Sequence, residues 1–339
     1  MQLRYSIILL SAIAALIFSA CTVTLKEAAQ IADQNTDEPV EIVKAFQPPS
    51  HLPESVAMDK EGNLYVSLGP PFFVEGGYGA VRKISPDGTE ETLVEFPNGP
   101  APSGLAVDAS GDVYFALPIP GQPDVGVYHI TSRGDAERLP GTEGMIDPNG
   151  LAFDSQGNLY ATDSILGSLW RMPPGGAAAE SWFSHEWLAG CGEEGPDAIG
   201  ANGVAYREGE LYVASSAKGI LMRIPVMSDG GPGEPEILAG NPDCNQEDEL
   251  YGMDGIALDD RGVVYALLVL QHKLVRIDPT DGTATLLLSE EDGLWNPASI
   301  ILGTQEGNAN SLFITNYAVL PPEPAASLGP ALLKYDVGG

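Results

Sequence analysis

One unit of sequence recurs six times, and that repetition constrains the fold more than any other property of the chain. The copies read "PESVAMDKEGNLYVS" (53–67), "PSGLAVDASGDVYFA" (102–116), "PNGLAFDSQGNLYAT" (148–162), "ANGVAYREGELYVAS" (201–215), "MDGIALDDRGVVYAL" (253–267) and the more divergent "PASIILGTQEGNANSLFIT" (297–315). The aligned aromatics Tyr65, Tyr114, Tyr160, Tyr212, Tyr265 and Phe313 stand 46 to 53 residues apart. Each copy holds two short apolar runs around a turn. A third run follows, such as "LWRM" (169–172) or "LVRI" (274–277), and then a fourth, such as "TATLLL" (283–288). Short apolar runs bounded by glycine turns read as strands, and a four-strand unit of this period is a propeller blade. The expected fold is therefore all-β, a six-bladed β-propeller. The sixth copy ends at "LLKYDVGG" without a fourth strand, whereas "VEIVKAF" (40–46) precedes the first copy and belongs to no unit. An N-terminal strand at about 40–46 that completes the last blade closes the ring and removes an open edge. The propeller then occupies 40–339 as one domain.

The segment before it has a different character. Arg4 and the apolar run "SIILLSAIAALIFSA" (6–20) form a signal peptide over 1–20, too short for a membrane span. "FSAC" resembles a bacterial lipoprotein processing box, which makes Cys21 the lipidated first residue and 21–39 a flexible tether. The expected location is extracytoplasmic, in the bacterial cell envelope, with membrane contact only through the anchor; simple secretion after Ala20 is the alternative. The net charge of −31, from 47 acidic and 16 basic residues, repels nucleic acid and anionic lipid. No second chain is implied, and a monomer is expected. An exported chain permits disulfides. Cys191 and Cys244 lie 11 and 10 residues before Asn202 and Asp254, in equivalent loops of adjacent blades, and are expected to pair.

In a four-stranded blade the first strand lines the central tunnel. The position just before its Gly or small residue reads Glu54, Ser103, Asn149, Asn202, Asp254 and Ala298, and rotation about the axis makes these side chains converge. Taken singly, Asn149-Gly150 and Asn202-Gly203 are turn dipeptides, and Glu54 and Asp254 are surface charges. Together they form an all-oxygen donor set of two carboxylates and two carboxamides. Two close carboxylates repel unless a cation sits between them. Hard donors of this charge suit Ca²⁺, with Mg²⁺, Mn²⁺ and Zn²⁺ as alternatives.

The repeats and this constellation resemble the family of senescence marker protein, gluconolactonase and luciferin-regenerating enzyme, and the site is similar to that of diisopropyl fluorophosphatase. The resemblance covers about residues 45–339. It implies a divalent cation in the tunnel held by Glu54 in "PESVAMD", Asn149 in "DPNGLAF", Asn202 in "GANGVAY" and Asp254 in "GMDGIAL". Blade 1 departs from the family's Glu-Gly-Pro, blade 3 from its Asn-Asp-Gly, and Asp147 stands where sugar-lactone members carry a basic residue.

Such a site suits hydrolysis of a small-molecule lactone or related ester. The cation would polarise the carbonyl, and Asp254 would act as general base, with direct nucleophilic attack the other option. Absence of a Gly-x-Ser-x-Gly elbow argues against a serine hydrolase. Asn149, Ser103, His272 and the aromatics Phe72, Phe73 and Tyr78 of the loop 68–79 are candidate substrate contacts. His51 stands three residues before Glu54, near the mouth; His129, in a third-strand slot, reads as structural. The competing reading is a non-catalytic envelope propeller resembling NHL-type repeat proteins, which binds a protein or glycan and holds a structural metal.

Overall fold

The computed structural model describes residues 40–48, 51–70, 77–97, 101–118, 124–131, 133–319 and 327–338. The signal peptide, Cys21, the tether, Phe72 and Phe73 lie outside the described residues. From Val40 onward the chain forms one unit, with 24 strands among the described residues. Strand β1 is Val40–Ala45. Blade 1 is β2 (Leu52–Met58), β3 (Leu64–Gly69), β4 (Tyr78–Ile84) and β5 (Glu90–Pro97). Blade 2 is β6 (Leu105–Val107), β7 (Val113–Leu117), β8 (Gly126–Ile130) and β9 (Ala136–Arg138). Blade 3 is β10 (Pro148–Phe153), β11 (Leu159–Asp163), β12 (Ser168–Met172) and β13 (Glu180–Ser184). Blade 4 is β14 (Ala201–Arg207), β15 (Glu210–Ser215), β16 (Ile220–Pro225) and β17 (Glu236–Ala239). Blade 5 is β18 (Met253–Leu258), β19 (Val264–Leu268), β20 (Lys273–Ile277) and β21 (Ala284–Leu288). Blade 6 contributes β22 (Pro297–Leu302), β23 (Ser311–Asn316) and β24 (Ala331–Asp336).

Every blade is an antiparallel meander of four strands, giving the six-bladed propeller expected from the repeats. The sixth is completed by β1, which pairs antiparallel with β24 from Val40↔Tyr335 to Ala45↔Ala331. The two ends of the domain thus share one sheet, and β24 has no open edge.

The packing follows from the strand period. Alternate residues of each strand face the neighbouring blade, and these are the apolar positions of the repeat. Between blades 5 and 6, for example, Tyr265, Leu267 and Leu274 pack on Leu312, Ile314 and Leu333, with Val40 of β1 in the same cluster. The aligned aromatics are part of this wall; Tyr160 is fully buried and meets Trp182 edge-on at 5.0 Å.

The hairpin between the first two strands has its own staple. In blade 3, Asp154 Oδ1 accepts from Gln156 N (2.8 Å) and Asn158 N (2.9 Å), and Oδ2 accepts from Asn158 Nδ2 at 2.7 Å. Asp59 in blade 1 does the same with Glu61, Asn63 and the Tyr65 hydroxyl. The Asp-x-x-Gly-Asn-Leu-Tyr pattern of the repeat is therefore a hydrogen-bonded turn.

Candidate metal centre in the tunnel

The inner strands are interrupted at one repeated place. Register shifts fall between Pro53 and Val56, Pro148 and Leu151, Ala201 and Val204, Met253 and Ile256, and Pro297 and Ile300. The residues spanned are Glu54-Ser55, Asn149-Gly150, Asn202-Gly203, Asp254-Gly255 and Ala298-Ser299. A bulge leaves a residue unpaired and re-aims its side chain. Asn149-Gly150 and Asn202-Gly203 are thus not turn dipeptides: both lie inside strands, at bulges.

The glycines have a second reason. A Cβ on Gly150 would stand 2.5 Å from Asn202 O, one on Gly203 2.2 Å from Asp254 O, and one on Gly255 2.6 Å from Ala298 O. Each bulge glycine makes room for the carbonyl of the candidate residue in the next blade. Two hydroxyls complete the stitching. Thr162 Oγ1 accepts from Gly150 N (2.8 Å) and donates to Asn202 O (2.6 Å). Thr315 Oγ1 accepts from Ser299 N (2.8 Å) and donates to Glu54 O (2.8 Å). The backbones of Asn202 and Glu54 are therefore fixed by the preceding blade.

These strands enclose a tunnel cavity of about 470 Å³, and Glu54, Asn149 and Asp254 line it. Asn202 is 4% exposed; its neighbour Gly203 reaches the wall. Glu54 is half-buried as a residue and lines the tunnel, but its Oε2 is sealed from solvent without a hydrogen-bond partner, and so is Asn202 Oδ1. Burial, then the charges of Asp254 and Asp147, push the Glu54 carboxyl well above its usual range. Burial alone raises Asp254 to about 8. Buried oxygen acceptors with no donor, beside carboxylates that cannot ionise cheaply, fit a hard divalent cation. No group of three or more His, Cys, Asp and Glu in metal-holding arrangement occurs among the described residues. An ion here would take its protein ligands from two carboxylates and two carboxamides, with water completing the shell.

The other sequence candidates are placed as follows. Ser103 is buried, and its Oγ donates to Pro148 O at 2.9 Å; Gly104, not Ser103, is on the cavity wall. The structure gives Ser103 a bond between blades rather than a substrate contact. Tyr78 donates its hydroxyl to Glu95 Oε1 at 2.7 Å and lies beside His51, 4.9 Å between rings. His272 adopts a left-handed φ of 57° in the loop after β19. It stacks on Trp295 at 3.7 Å and accepts from Asn296 N through Nδ1. Burial holds its pKa below the usual value, against the pull of Glu290, so the ring is neutral at pH 7. Neither Tyr78 nor His272 reaches the tunnel wall. His129 sits in its strand against Tyr114, 4.9 Å between rings.

Cys191 and Cys244 are joined in a disulfide across the loops that lead into β14 and β18. Asp197 ties the same loops, accepting from Tyr251 OH (2.9 Å) and Gln246 Nε2 (2.6 Å). The strands carrying Asn202 and Asp254 thus begin from one braced platform.

Three residues that pattern reading did not assign to the site stand on or beside the first two strands of blade 3. Asp163, fully buried at the end of β11, accepts from Ile146 N (2.7 Å), Asp147 N (3.2 Å) and Leu166 N (3.0 Å). It pins Asp147, whose carboxyl is raised to about 7 by burial and by Asp163. The third is Thr162, which with Thr315 and Ser67 stands two positions beyond the aligned aromatic; that recurrence of hydroxyls was the available signal.

No protein-family model matches the sequence, and no curated protein matches it. Solved structures do. A gluconolactonase from Xanthomonas campestris is 19% identical over 91% of this chain and 93% of its own, with a TM-score of 0.61. Virginiamycin B lyase from Staphylococcus aureus is 14% identical over 88% and 99%, with a TM-score of 0.55. A Bacteroides thetaiotaomicron protein of unknown function is 15% identical over 88% and 76%, with a TM-score of 0.61. At these identities the likeness establishes the shared propeller fold.

Proposed function

We propose that this propeller is a divalent-metal-dependent hydrolase of lactones or related esters, with calcium the cation its donor set suits best. The observation that carries the reading is the pair of sealed, unpartnered oxygens, Glu54 Oε2 and Asn202 Oδ1, at bulge positions beside Asp254. When bound, the cation would polarise a carbonyl and offset the charge developing on its oxygen. Glu54 supplies the main anionic anchor. Asn149 offers its carboxamide from the tunnel wall, and Asn202 offers Oδ1 on a backbone fixed by the neighbouring blade. Asp254 accepts the proton of the attacking water. The gluconolactonase with the same fold acts, by its name, on a lactone; that supports the choice of substrate class for a first assay.

The alternative, a non-catalytic propeller braced by a structural metal, draws on the stitching of Glu54 and Asn202 into the blade framework. A panel of lactones, esters and phosphotriesters, assayed with calcium and with chelator, separates the two. The hydrolase reading expects turnover that chelator removes and that Asp254→Asn loses. Tight metal binding with no turnover on any class favours the brace. The disulfide further supports an exported chain. We place it as a monomer in the cell envelope, held by a lipidated Cys21. A Cys21→Ser variant would then leave the membrane fraction, and unchanged membrane retention would refute the anchor.

A further inference from the structure

We propose that the hairpin end of the tunnel is the port through which a divalent cation reaches and leaves Glu54 and Asp254, with Asp260 drawing it to the rim. The inference rests on the metal reading of the tunnel and adds a route to it.

The cavity does not stop at the candidate ligands. Its wall follows β18 from Asp254 to Leu258, about 13 Å of strand, and continues into Asp259 and Asp260 of the turn before β19. The last residues of β14 and β22, Arg207 and Leu302, line it too. Asp260 is exposed. One continuous space therefore joins Glu54 and Asp254 to solvent on the face where first and second strands turn.

The wall suits a hydrated ion. Each inner strand stands at the end of its sheet, so one of its edges has no strand partner. All six of these strands line the cavity, and their unpaired edges bring peptide N–H and C=O groups to it. Such groups keep water, and carbonyl oxygens stand in for the hydration shell of a passing cation. An apolar ligand would leave them without partners.

The charge at the rim is negative. The turns carry Asp59, Asp108, Asp154 and Asp259 at one repeat-equivalent position. Arg207 does not offset them: its guanidinium donates to Asp260 O (2.7 Å) and pairs with Glu208 at 2.9 Å. Asp259 is paired with Arg261 at 3.0 Å. The Asp260 carboxylate, by contrast, has no hydrogen bond or ion pair among the described residues. Negative charge at the opening of a low-dielectric channel concentrates cations there and speeds their entry.

The test is calcium exchange in the full chain, read by stopped-flow association and by release into a fluorescent chelator. Asp260→Cys, Arg207→Cys and Ile165→Cys are each alkylated with a bulky neutral maleimide, and wild type treated the same way sets the baseline. Ile165 stands on the opposite face, in the loop between β11 and β12. A label in the port should slow association and release alike, by about tenfold. The dissociation constant should hold, because closing a route changes rates and not the equilibrium. The Ile165→Cys label should change neither rate. Unlabelled Asp260→Lys should slow association about tenfold at low ionic strength. Slowing by the Ile165→Cys label alone, or a wild-type association rate in Asp260→Lys, overturns the inference. A wild type that binds no calcium removes the metal reading and the route with it. Calcium binding whose exchange neither port label slows removes the route alone.

Discussion

The inner strands carry acids at both ends, and the two ends treat them in opposite ways. At the hairpin end, burial alone would raise Asp59, but bonds from the Asn63 side chain and backbone, the Tyr65 hydroxyl and Glu61 N outweigh it and hold the carboxyl below its usual range. At the mouth end, Glu54 and Asp254 have burial without donors and are pushed up. Residue type and strand are shared; the supply of N–H and O–H groups differs. An acid surrounded by donors is a fold element, and one stripped of them awaits a ligand.

Four perturbations sharpen that contrast. The largest effect is expected from Asp254→Asn: metal-dependent turnover should fall about a thousandfold, while the metal-free protein melts no lower than wild type. Loss of melting temperature in that variant would make Asp254 a structural acid.

Next is the pH response of the metal-free protein. Asp254 titrates near 8 when folded and Asp147 near 7, against about 3.9 for an unfolded Asp. The folded state binds more protons between these values, so stability falls as pH rises from about 4 through 8, by on the order of a few kcal/mol. Melting curves from pH 5 to 9 should show this decline, and excess calcium or Asp254→Asn should each make it shallower. A metal-free protein that gains stability across that range contradicts the assignment.

At the hairpin end Asp154→Ala should cost about 3 kcal/mol, because it strips several bonds to a carboxylate and leaves Asn158 and Tyr160 donors buried. Chemical denaturation would read this, with turnover per folded molecule preserved. The smallest effect is expected from Thr162→Val, which frees the Asn202 carbonyl. Calcium affinity should weaken about tenfold, the scale of one lost buried hydrogen bond, and Thr162→Ser should restore it.

The architecture was legible because the repeat is a physical unit: six copies of one hydrophobic alternation, and an orphan strand to close the ring. The convergence of Glu54, Asn149 and Asp254 on the tunnel followed from rotation alone. What could not be read was inter-blade contact. Asn149-Gly150 looks like a turn in isolation, and only the carbonyl of Asn202 passing beside Gly150 shows why glycine is there. Ser103 occupied the right ring position, but the direction of its hydroxyl depends on Pro148 of the next blade. Asp147 stood out in the sequence only as an acid in place of a base. Its backbone is set by Asp163, sixteen residues away at the end of β11, whose Oδ1 accepts from the Asp147 N–H.

The account stands most directly on the metal content of the purified protein, measured by elemental analysis after dialysis against calcium, for wild type and for Glu54→Gln/Asp254→Asn. It predicts one tightly held divalent ion per wild-type chain and none in the double variant, with both proteins folded. A wild-type tunnel that holds no ion at saturating supply, or a double variant that retains one, would contradict it.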